Sequence, residues 1–294
     1  MGNNLVKKTL LRAITLFLVG IFISSCASDD KSDNPAVISD NAIERWQKYE
    51  LDVRDSKIPV EEAAALLPEI MQGLDIFAQR YNFNKAEKWI FPVEGYSTAD
   101  IGGSHGEGFQ PDIYYGASAI KGYSFFDGNR HGGHPAHDIF IHDRNQDCLD
   151  DRTQKPVYVV AMMDGIVIST FKEWTSGSKI RGGNYIWCYH PQENLVSYYA
   201  HLKDITVEPG QKVTAGAGLG TIGRTGFSAE PKRSPTHLHL MVLEYKNKDF
   251  SPHNYFKELV QNPLTFERQI RRHPNTESAN IRTLNPVTFE HRIR

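Results

Sequence analysis

Residues 236–244 constrain the fold more than any other part of the chain. They form an apolar run, Thr-His-Leu-His-Leu-Met-Val-Leu-Glu, in which His237 and His239 are separated by one residue. Such a run is typical of a buried β-strand, where side chains two residues apart point to the same face. His237 and His239 are therefore expected to project together. Two imidazoles on one rigid strand can share a metal site, one as a ligand and the other as an acid–base group.

A second pair of candidate ligands lies well before this strand. His134 and Asp138 stand four residues apart in a histidine-rich turn that apolar residues follow. With one histidine of the later pair they give a three-ligand set that leaves a fourth coordination position open. Such a set is typical of catalytic zinc sites, whereas structural zinc sites are more often closed by four ligands that include cysteine.

Two more segments complete the pattern. Residues 197–202 form another strand-like run, which contains His201, and residues 207–226 form short strands broken by tight turns that need glycine. By itself the glycine-rich stretch would also suit a biotinyl or lipoyl barrel, but the usual carrier-lysine motif is missing. From about residue 89 to residue 244 the chain is mostly strands and turns, which favours an antiparallel sheet.

The order of these motifs resembles that of the lysostaphin-like, LytM-type zinc metallopeptidases, which cleave peptide bonds in bacterial cell-wall peptidoglycan. The resemblance covers roughly residues 90 to 245, and its motifs lie at residues 91–95, 134–138, 156–157, 164–167, 183–184, 199–202, 207–226 and 237–239. It implies a mainly β fold, in which an antiparallel sheet carries an open catalytic groove. Short N-terminal helices are expected in front of that domain.

The resemblance also implies the roles of the site residues. His134, Asp138 and His239 would bind one zinc ion, and His201 and His237 would be the catalytic histidines. Zinc held in this way can bring a bound water towards a pKa of about 7. His237 would act as general base or pass a proton to the leaving amine, and His201 would hydrogen-bond the oxyanion.

The chain departs from the family pattern in two places. Ala136 stands where the family usually has glycine, and residues 229–235 lengthen the approach to the final histidine pair, so we expect one wall of the groove to be reshaped. His131, His137 and His142 crowd the same turn as His134. They lack its spacing to Asp138 and are not expected to be ligands.

The first 25 residues are interpreted as a signal peptide, because a basic start is followed by an apolar core and small residues. The small residues precede Cys26, as in a bacterial lipoprotein box, so Cys26 would carry the lipid. Residues 26–40 are polar and would form a flexible tether. A transmembrane anchor is the alternative, although the apolar run is short for a bilayer.

The remaining organisation follows from composition and apolar spacing. Residues 41–85 show helical periodicity and are predicted to be a helical N-terminal region that packs on the catalytic domain. Residues 86–245 would form the LytM-like metallopeptidase domain. Residues 246–294 would be a C-terminal extension with one helix around residues 255–261.

An insertion after the first ligands carries a signal of its own. Asp143, Asn145, Asp147 and Asp151 space oxygen side chains as in a calcium loop, but the usual glycine is missing. A solvated acidic turn is the alternative. Cys148 in this loop could bridge to Cys188, which is chemically permitted outside the cytoplasm but cannot be decided from the sequence.

The expected function is that of a zinc metalloendopeptidase, lipid-anchored in the cell envelope, with peptidoglycan as its partner. A formal net charge of −2 over 294 residues, without a basic cluster, argues against a nucleic-acid partner. Two other functions stay open. One is a non-catalytic envelope lipoprotein that binds wall or regulates an amidase, with a regulatory envelope protein as partner. The other is a metallopeptidase that acts on proteins or peptides.

Overall fold

The computed structural model describes residues 41–86, 89–102, 108–112, 122–230 and 234–261. Within them lie three α-helices, α1 (Ala42–Arg54), α2 (Val60–Ala78) and α3 (Phe256–Gln261), and two short 3-10 helices, Thr98–Asp100 and Phe125–Arg130. The same part of the chain contains ten strands: β1 (Ala136–Phe140), β2 (Tyr158–Val160), β3 (Gly165–Phe171), β4 (Tyr185–His190), β5 (Leu195–Ala200), β6 (Leu202–Ile205), β7 (Lys212–Val213), β8 (Gly218–Ile222), β9 (His237–Lys246) and β10 (Asp249–Pro252).

The strands form two antiparallel sheets. In the described residues the larger sheet has the order β1-β9-β5-β4-β3-β7, with β10 also paired to β9, and the smaller has the order β2-β8-β6. The predicted mainly β, antiparallel fold with N-terminal helices is therefore confirmed. Strand β9 begins at the histidine pair and lies between β1 and β5, inside the larger sheet.

One face of the larger sheet packs against the smaller sheet. Leu238, Leu240 and Val242 of β9 enter a core that also contains Leu219 and Ile222 of β8. All five side chains are completely buried. Because strand side chains alternate, the histidines of β9 must point to the other face.

That other face is covered in part by the N-terminal helices. Trp46 of α1 has no exposed surface and contacts the rings of Phe125, Trp187 and Phe250, with centroids 6.0 to 6.2 Å apart. Residues of both helices share one hydrophobic core with β3, β4, β5 and β9. Two glutamates in the first turn of α2 favour its start, since negative charge stabilises a helix N-terminus.

The predicted signal peptide, Cys26 and the tether of residues 26–40 lie outside the described residues, as does the chain after residue 261. None of the helices in the described ranges combines the length and apolar composition that a bilayer-spanning segment requires. The helix predicted around residues 255–261 is confirmed as α3. The sheet itself continues past residue 245, because β10 extends the pairing of β9 to Pro252.

Candidate active site

Three adjacent strands bring the candidate site residues together. Asp138 of β1 lies directly opposite His239 of β9. On the other side of β9, His239 lies opposite Ala200, so His201 follows at the end of β5. His237 precedes His239 by two residues and shares its face of the sheet. Strand register, rather than a long loop, therefore sets the relative positions of these side chains.

His134, Asp138 and His239 converge on one point. Oδ1 of Asp138 lies 2.9 Å from Nδ1 of His239 and 3.3 Å from Nε2 of His134. One potential ligand atom from each residue lies within 4.8 Å of the others, and no other such group occurs in the described part of the chain. Their side chains keep 24%, 26% and 20% exposure respectively, so the point is reachable from solvent.

The orientation of His134 suits a metal ligand. Its Nδ1 lies 2.6 Å from the carbonyl oxygen of Gly108. Because a carbonyl oxygen only accepts, Nδ1 must carry the proton, which leaves the lone pair on Nε2 facing Asp138. Metal-binding histidines commonly donate their second nitrogen to a carbonyl in this way. Two imidazole nitrogens and one carboxylate, with room for a fourth ligand, fit a catalytic zinc ion.

His201 and His237 lie beside this triad and are held in the same manner. Nδ1 of His201 donates to the carbonyl of Thr225 at 2.7 Å, and Nδ1 of His237 donates to the carbonyl of Pro235 at 2.7 Å. Their rings are 4.8 Å apart, and each residue is only 4% exposed. When either ring carries a single proton, that proton is on Nδ1, and Nε2 is the acceptor. Nε2 of His237 lies 3.6 Å from Oδ1 of Asp138.

The backbone at His201 is unusual. Its φ of +64° places a non-glycine residue in the left-handed region, which costs free energy unless the surroundings hold it. Its N–H donates to the carbonyl of Gly182 at 2.8 Å, and Gly226 lies so close that a Cβ there would come within 2.8 Å of the ring. These contacts turn the ring towards His239, with centroids 5.5 Å apart.

The charges at the site fit metal binding. Burial would raise the pKa of Asp138, but the interactions with His237, His134 and His239 outweigh it and hold the pKa well below its ordinary range. Burial is the main cause that lowers the pKa of His239 and of His201. For His134, burial lowers the pKa but the neighbouring carboxylate raises it more, so the net shift is upward. An ionised carboxylate and a neutral His239 are the forms that bind a metal.

A groove of about 240 Å³ extends from these histidines to helix α1. Its far end is mostly aromatic, and its lining outside the histidine cluster includes Glu50, Arg54, Tyr123, Phe125, Asn129, Arg181, Tyr185, Trp187 and Tyr198. An extended peptide segment could therefore lie across the triad with side chains in the aromatic end.

The other histidines of the turn do not join the ligand group. His137 points to the opposite side of β1 and packs against the rings of Phe109 and Tyr255. His142 is exposed and contacts the ring of Tyr96. His131 lines the groove, but its Nδ1 forms a hydrogen bond of 2.8 Å with the carbonyl oxygen of Gly132.

The acidic loop uses its oxygens internally. Asp143 accepts from the N–H of Asp147 at 3.1 Å and of Cys148 at 2.9 Å, and also from the hydroxyl of Thr236 at 2.6 Å. Asp147 accepts from the N–H of Leu149 at 2.8 Å. The side chains of Asn145 and Asp151 likewise bond within the loop. These bonds account for the spacing of the oxygens without an ion, and the calcium prediction gains no support.

The prediction that Cys148 could form a disulfide with Cys188 is wrong, since both are free thiols in the structure. Cys188 lies on β4 with its side chain in the core between the sheets, where it is completely buried. Cys148 lies on the acidic loop and is half-buried. The alternating direction of side chains on β4 turns the Cys188 sulfur into the core.

The two departures from the family pattern fit the fold. Ala136 is completely buried at the start of β1, opposite Met241. In the longer segment before β9, Ser234 lines the groove, and Arg224 donates to the carbonyls of Glu230 and Ser234. Residues 231–233 lie outside the described ranges.

Sequence reasoning missed two groove residues. Arg181 precedes the Gly182–Gly183 pair and lines the groove, and the ring of Tyr198 lies 6.5 Å from that of His239. Alternation counted from His201 would have put Tyr199 on the site face instead; Tyr198 lies there because His201 follows the end of β5 with a φ of +64°. Nothing in the sequence marks Arg181.

The chain is similar to one known protein family and to several curated proteins. Residues 146–252 match the model of Peptidase family M23. This segment contains His201, His237 and His239, whereas His134 and Asp138 precede it. The murein hydrolase activator NlpD of Salmonella dublin is 32% identical over 111 residues, which cover 37% of this chain and 26% of that protein. A protein of Buchnera aphidicola described as an uncharacterized metalloprotease is 29% identical over 117 residues, 40% of this chain and 27% of its own length.

Solved structures of related description also align. A zinc-containing peptidase from Vibrio cholerae has 23% identity and a TM-score of 0.36, covering 56% of this chain and 39% of that one. The catalytic domain of lysostaphin from Staphylococcus simulans has 22% identity and a TM-score of 0.33, covering 51% and 89%. The chain spans about a quarter of the length of the two curated relatives. From the family match, this chain carries a domain of peptidase family M23.

Proposed function

We propose that this protein is a zinc-dependent endopeptidase that hydrolyses peptide bonds of bacterial peptidoglycan, in stem peptides or cross-links. The observation that carries the proposal is the convergence of His134, Asp138 and His239 beside the two buried histidines His201 and His237, at one end of an open groove. A fold that only bound a partner would not need five such side chains arranged in this way.

His134 through Nε2, His239 through Nδ1 and the carboxylate of Asp138 would hold the zinc ion. Bound zinc would act as a Lewis acid that polarises the scissile carbonyl and lowers the pKa of water. The protein's own part is to keep the carboxylate ionised and to orient the two rings. The Gly108 carbonyl orients the ring of His134.

His201 and His237 would carry out the proton transfers of the reaction. Because Nδ1 of each ring is bonded to a carbonyl, each neutral ring offers Nε2 as an acceptor. One of them would take a proton from the attacking water and deliver it to the leaving nitrogen as the C–N bond breaks. The role first expected for His201, donation to the oxyanion, needs a proton on Nε2. It would therefore follow proton uptake, when the ring has become a cation.

The experiment that tests the proposal is digestion of purified peptidoglycan, beside a casein panel, by the wild-type protein and by His237→Ala, with zinc content measured on both. We expect about one zinc per chain in both proteins and a loss of muropeptide release of roughly a hundred-fold or more in the variant. His142→Ala, an exposed histidine of the same region, is the matched control and should keep full activity. Product masses would identify the bond. Cleavage of casein alone would instead favour a peptidase that acts on proteins.

A second function has a specific observation in its favour. The similarity to a protein named a murein hydrolase activator favours a non-catalytic role in which the groove binds the wall or a partner enzyme. Adding the protein to an amidase and its substrate would separate the two. An activator would stimulate the amidase, release no products alone, and keep its effect in His237→Ala.

We also propose a lipid anchor at Cys26 in the cell envelope, on the sequence evidence alone. Labelling cells with a fatty-acid analogue should modify the wild-type chain and not Cys26→Ser. Equal label in both proteins would exclude the anchor at this position.

A further inference from the structure

Arg181 is a half-buried cation that lines the groove, and no anionic side chain of the described ranges pairs with it. Its Nη1 donates to the carbonyl of His131 at 2.8 Å, and this is the guanidinium's protein acceptor among the described residues. No carboxylate of the described ranges forms an ion pair with it. A guanidinium has five N–H donors, so most of them stay available towards the groove.

The position of Arg181 is fixed by its backbone. Its N–H donates to Oδ1 of Asn129 at 3.0 Å, and Nδ2 of Asn129 donates to the carbonyl of Lys179 at 2.8 Å. The next residues, Gly182 and Gly183, lie against the segment around His201 and Thr225, and Gly183 has a φ of +67° that favours glycine. The cation is therefore tied to the same framework as the catalytic histidine.

The other charges of the groove differ from Arg181. Arg54 forms an ion pair with Asp55 at 2.7 Å and stacks over the ring of Phe171. Glu50 is buried, with 4% of its surface exposed, and accepts from the hydroxyl of Ser169 at 2.8 Å. These groups have partners in the fold. The charge of Arg181 has none among the described residues.

The electrostatics agree with a missing anion. Burial lowers the pKa of Arg181, because a cation removed from water is stabilised only by a partner charge or by hydrogen bonds. The cation also lies close to the candidate zinc site, since Arg181 lines the same groove as His134 and His239 and donates to the carbonyl of His131, three residues before His134.

We propose that Arg181 binds a free carboxylate of the substrate, so that the groove selects peptides with a carboxylate close to the scissile bond. This inference rests on the proposed function and narrows it: an uncharged glycyl bridge would not satisfy Arg181, whereas an acidic stem peptide would. A guanidinium is suited to this task because its fork can bind a carboxylate through two parallel hydrogen bonds.

The test uses two pairs of peptides, each pair differing at one group beside the scissile bond. One pair has a C-terminal carboxylate or a carboxamide, and the other has an internal Glu or Gln. For the zinc-loaded wild-type protein we expect kcat/KM to be about 10-fold to 100-fold higher for the acidic member of one pair. That pair identifies the source of the carboxylate. Arg181→Met should bring the ratio close to about 1, and Arg181→Lys should give an intermediate ratio.

Arg144→Met is the matched control, because it removes one exposed arginine charge outside the groove. Its acid-to-amide ratio should equal that of the wild type. A ratio that stays high in Arg181→Met, or a wild type without any preference, would overturn the inference. Zinc content and thermal midpoint of Arg181→Met, compared with the wild type, show whether the variant folds.

If the zinc-loaded wild type cleaves neither peptides nor peptidoglycan, the proposed function fails. The role of Arg181 is then decided by calorimetric binding of the same peptide pairs. Tighter binding of the acidic member, lost in Arg181→Met, would support carboxylate recognition. Equal dissociation constants for the two members in the wild type would contradict it.

Discussion

Asp138 and His239 face each other across strands β1 and β9, and Oδ1 of the aspartate lies 2.9 Å from Nδ1 of the histidine. The pairing comes from strand register, so a slip of one residue would turn one side chain to the opposite face of the sheet. The same register places the buried Leu238 and Leu240 in the core on the other side. The packing that stabilises the fold therefore also preorganises the two candidate ligands.

This pairing leads to a prediction about metal affinity. Asp138→Asn keeps the shape of the side chain but removes the negative charge that two histidines share. We expect zinc affinity to fall by at least about 100-fold, because even changes outside the ligand set cost up to that much. Titration with a competing zinc chelator measures the affinity.

Asp147→Asn makes the same chemical change in the exposed part of the acidic loop and serves as control. It should bind zinc like the wild type. Unchanged zinc affinity in Asp138→Asn would mean that the ligand assignment is incorrect.

The elements that the sequence predicts best are those with a local pattern. Alternation in residues 236–244 is enough to predict a strand with His237 and His239 on one face, and β9 follows it. The spacing of apolar residues likewise predicts the N-terminal helices, which the structure has as α1 and α2. In both cases the spacing of apolar side chains in a short stretch of consecutive residues indicates the type of element.

The rest depends on contacts between distant segments. The carbonyls of Gly108, Thr225 and Pro235 orient three histidines. Every residue has a backbone carbonyl, so the sequence does not show which carbonyl will contact a histidine. Arg181 reaches the groove because its loop is fixed to Asn129, some 50 positions earlier. Local spacing carries no information about such contacts.

Trp46 gives a prediction about the N-terminal helices. It has no exposed surface and packs among the rings of Phe125, Trp187 and Phe250. Trp46→Ala should lower the free energy of unfolding by about 3 to 5 kcal/mol, as for other large-to-small changes in a core. Urea unfolding measures this change.

Tyr158→Ala removes an aromatic ring that is 51% exposed and should cost less than about 1 kcal/mol. If Trp46→Ala had an equally small effect, the helices would not contribute to the stability of the sheet domain.

Asp143 gives a prediction that separates an internal anchor from a calcium ligand. Asp143→Ala removes the acceptor of the Cys148 N–H and of the Thr236 hydroxyl, and one of the two acceptors of the Asp147 N–H. We expect a loss of about 1 to 3 kcal/mol in the free energy of unfolding. Millimolar calcium should leave the thermal midpoint of the wild type unchanged, because no stabilising ligand is bound.

Asp147→Ala, in the same loop but exposed, should lose less stability than Asp143→Ala. A midpoint that calcium raises in the wild type and not in Asp143→Ala would instead support a calcium site.

Glu50 predicts how stability depends on pH. Burial raises its pKa to about 7, although the hydroxyl of Ser169 and the charge of Arg54 act in the opposite direction. The ordinary value is 4.5, so the folded state holds the proton more tightly than the unfolded state. The stability linked to this proton is fully present below pH 4.5 and is lost as the pH rises through about 7. The loss is at most about 3 kcal/mol, from 1.36 kcal/mol per pKa unit.

The difference between wild type and Glu50→Gln isolates this effect from other titrating groups. Gln has no charge to bury, so the variant should gain stability relative to the wild type as the pH is raised from about 5 to about 8. Glu44→Gln changes an exposed glutamate of the same helix, and its stability should follow the wild type at every pH. Urea unfolding at several pH values gives the three curves. Parallel curves for wild type and Glu50→Gln would mean that Glu50 titrates normally in the folded protein, and that water reaches it beneath α1.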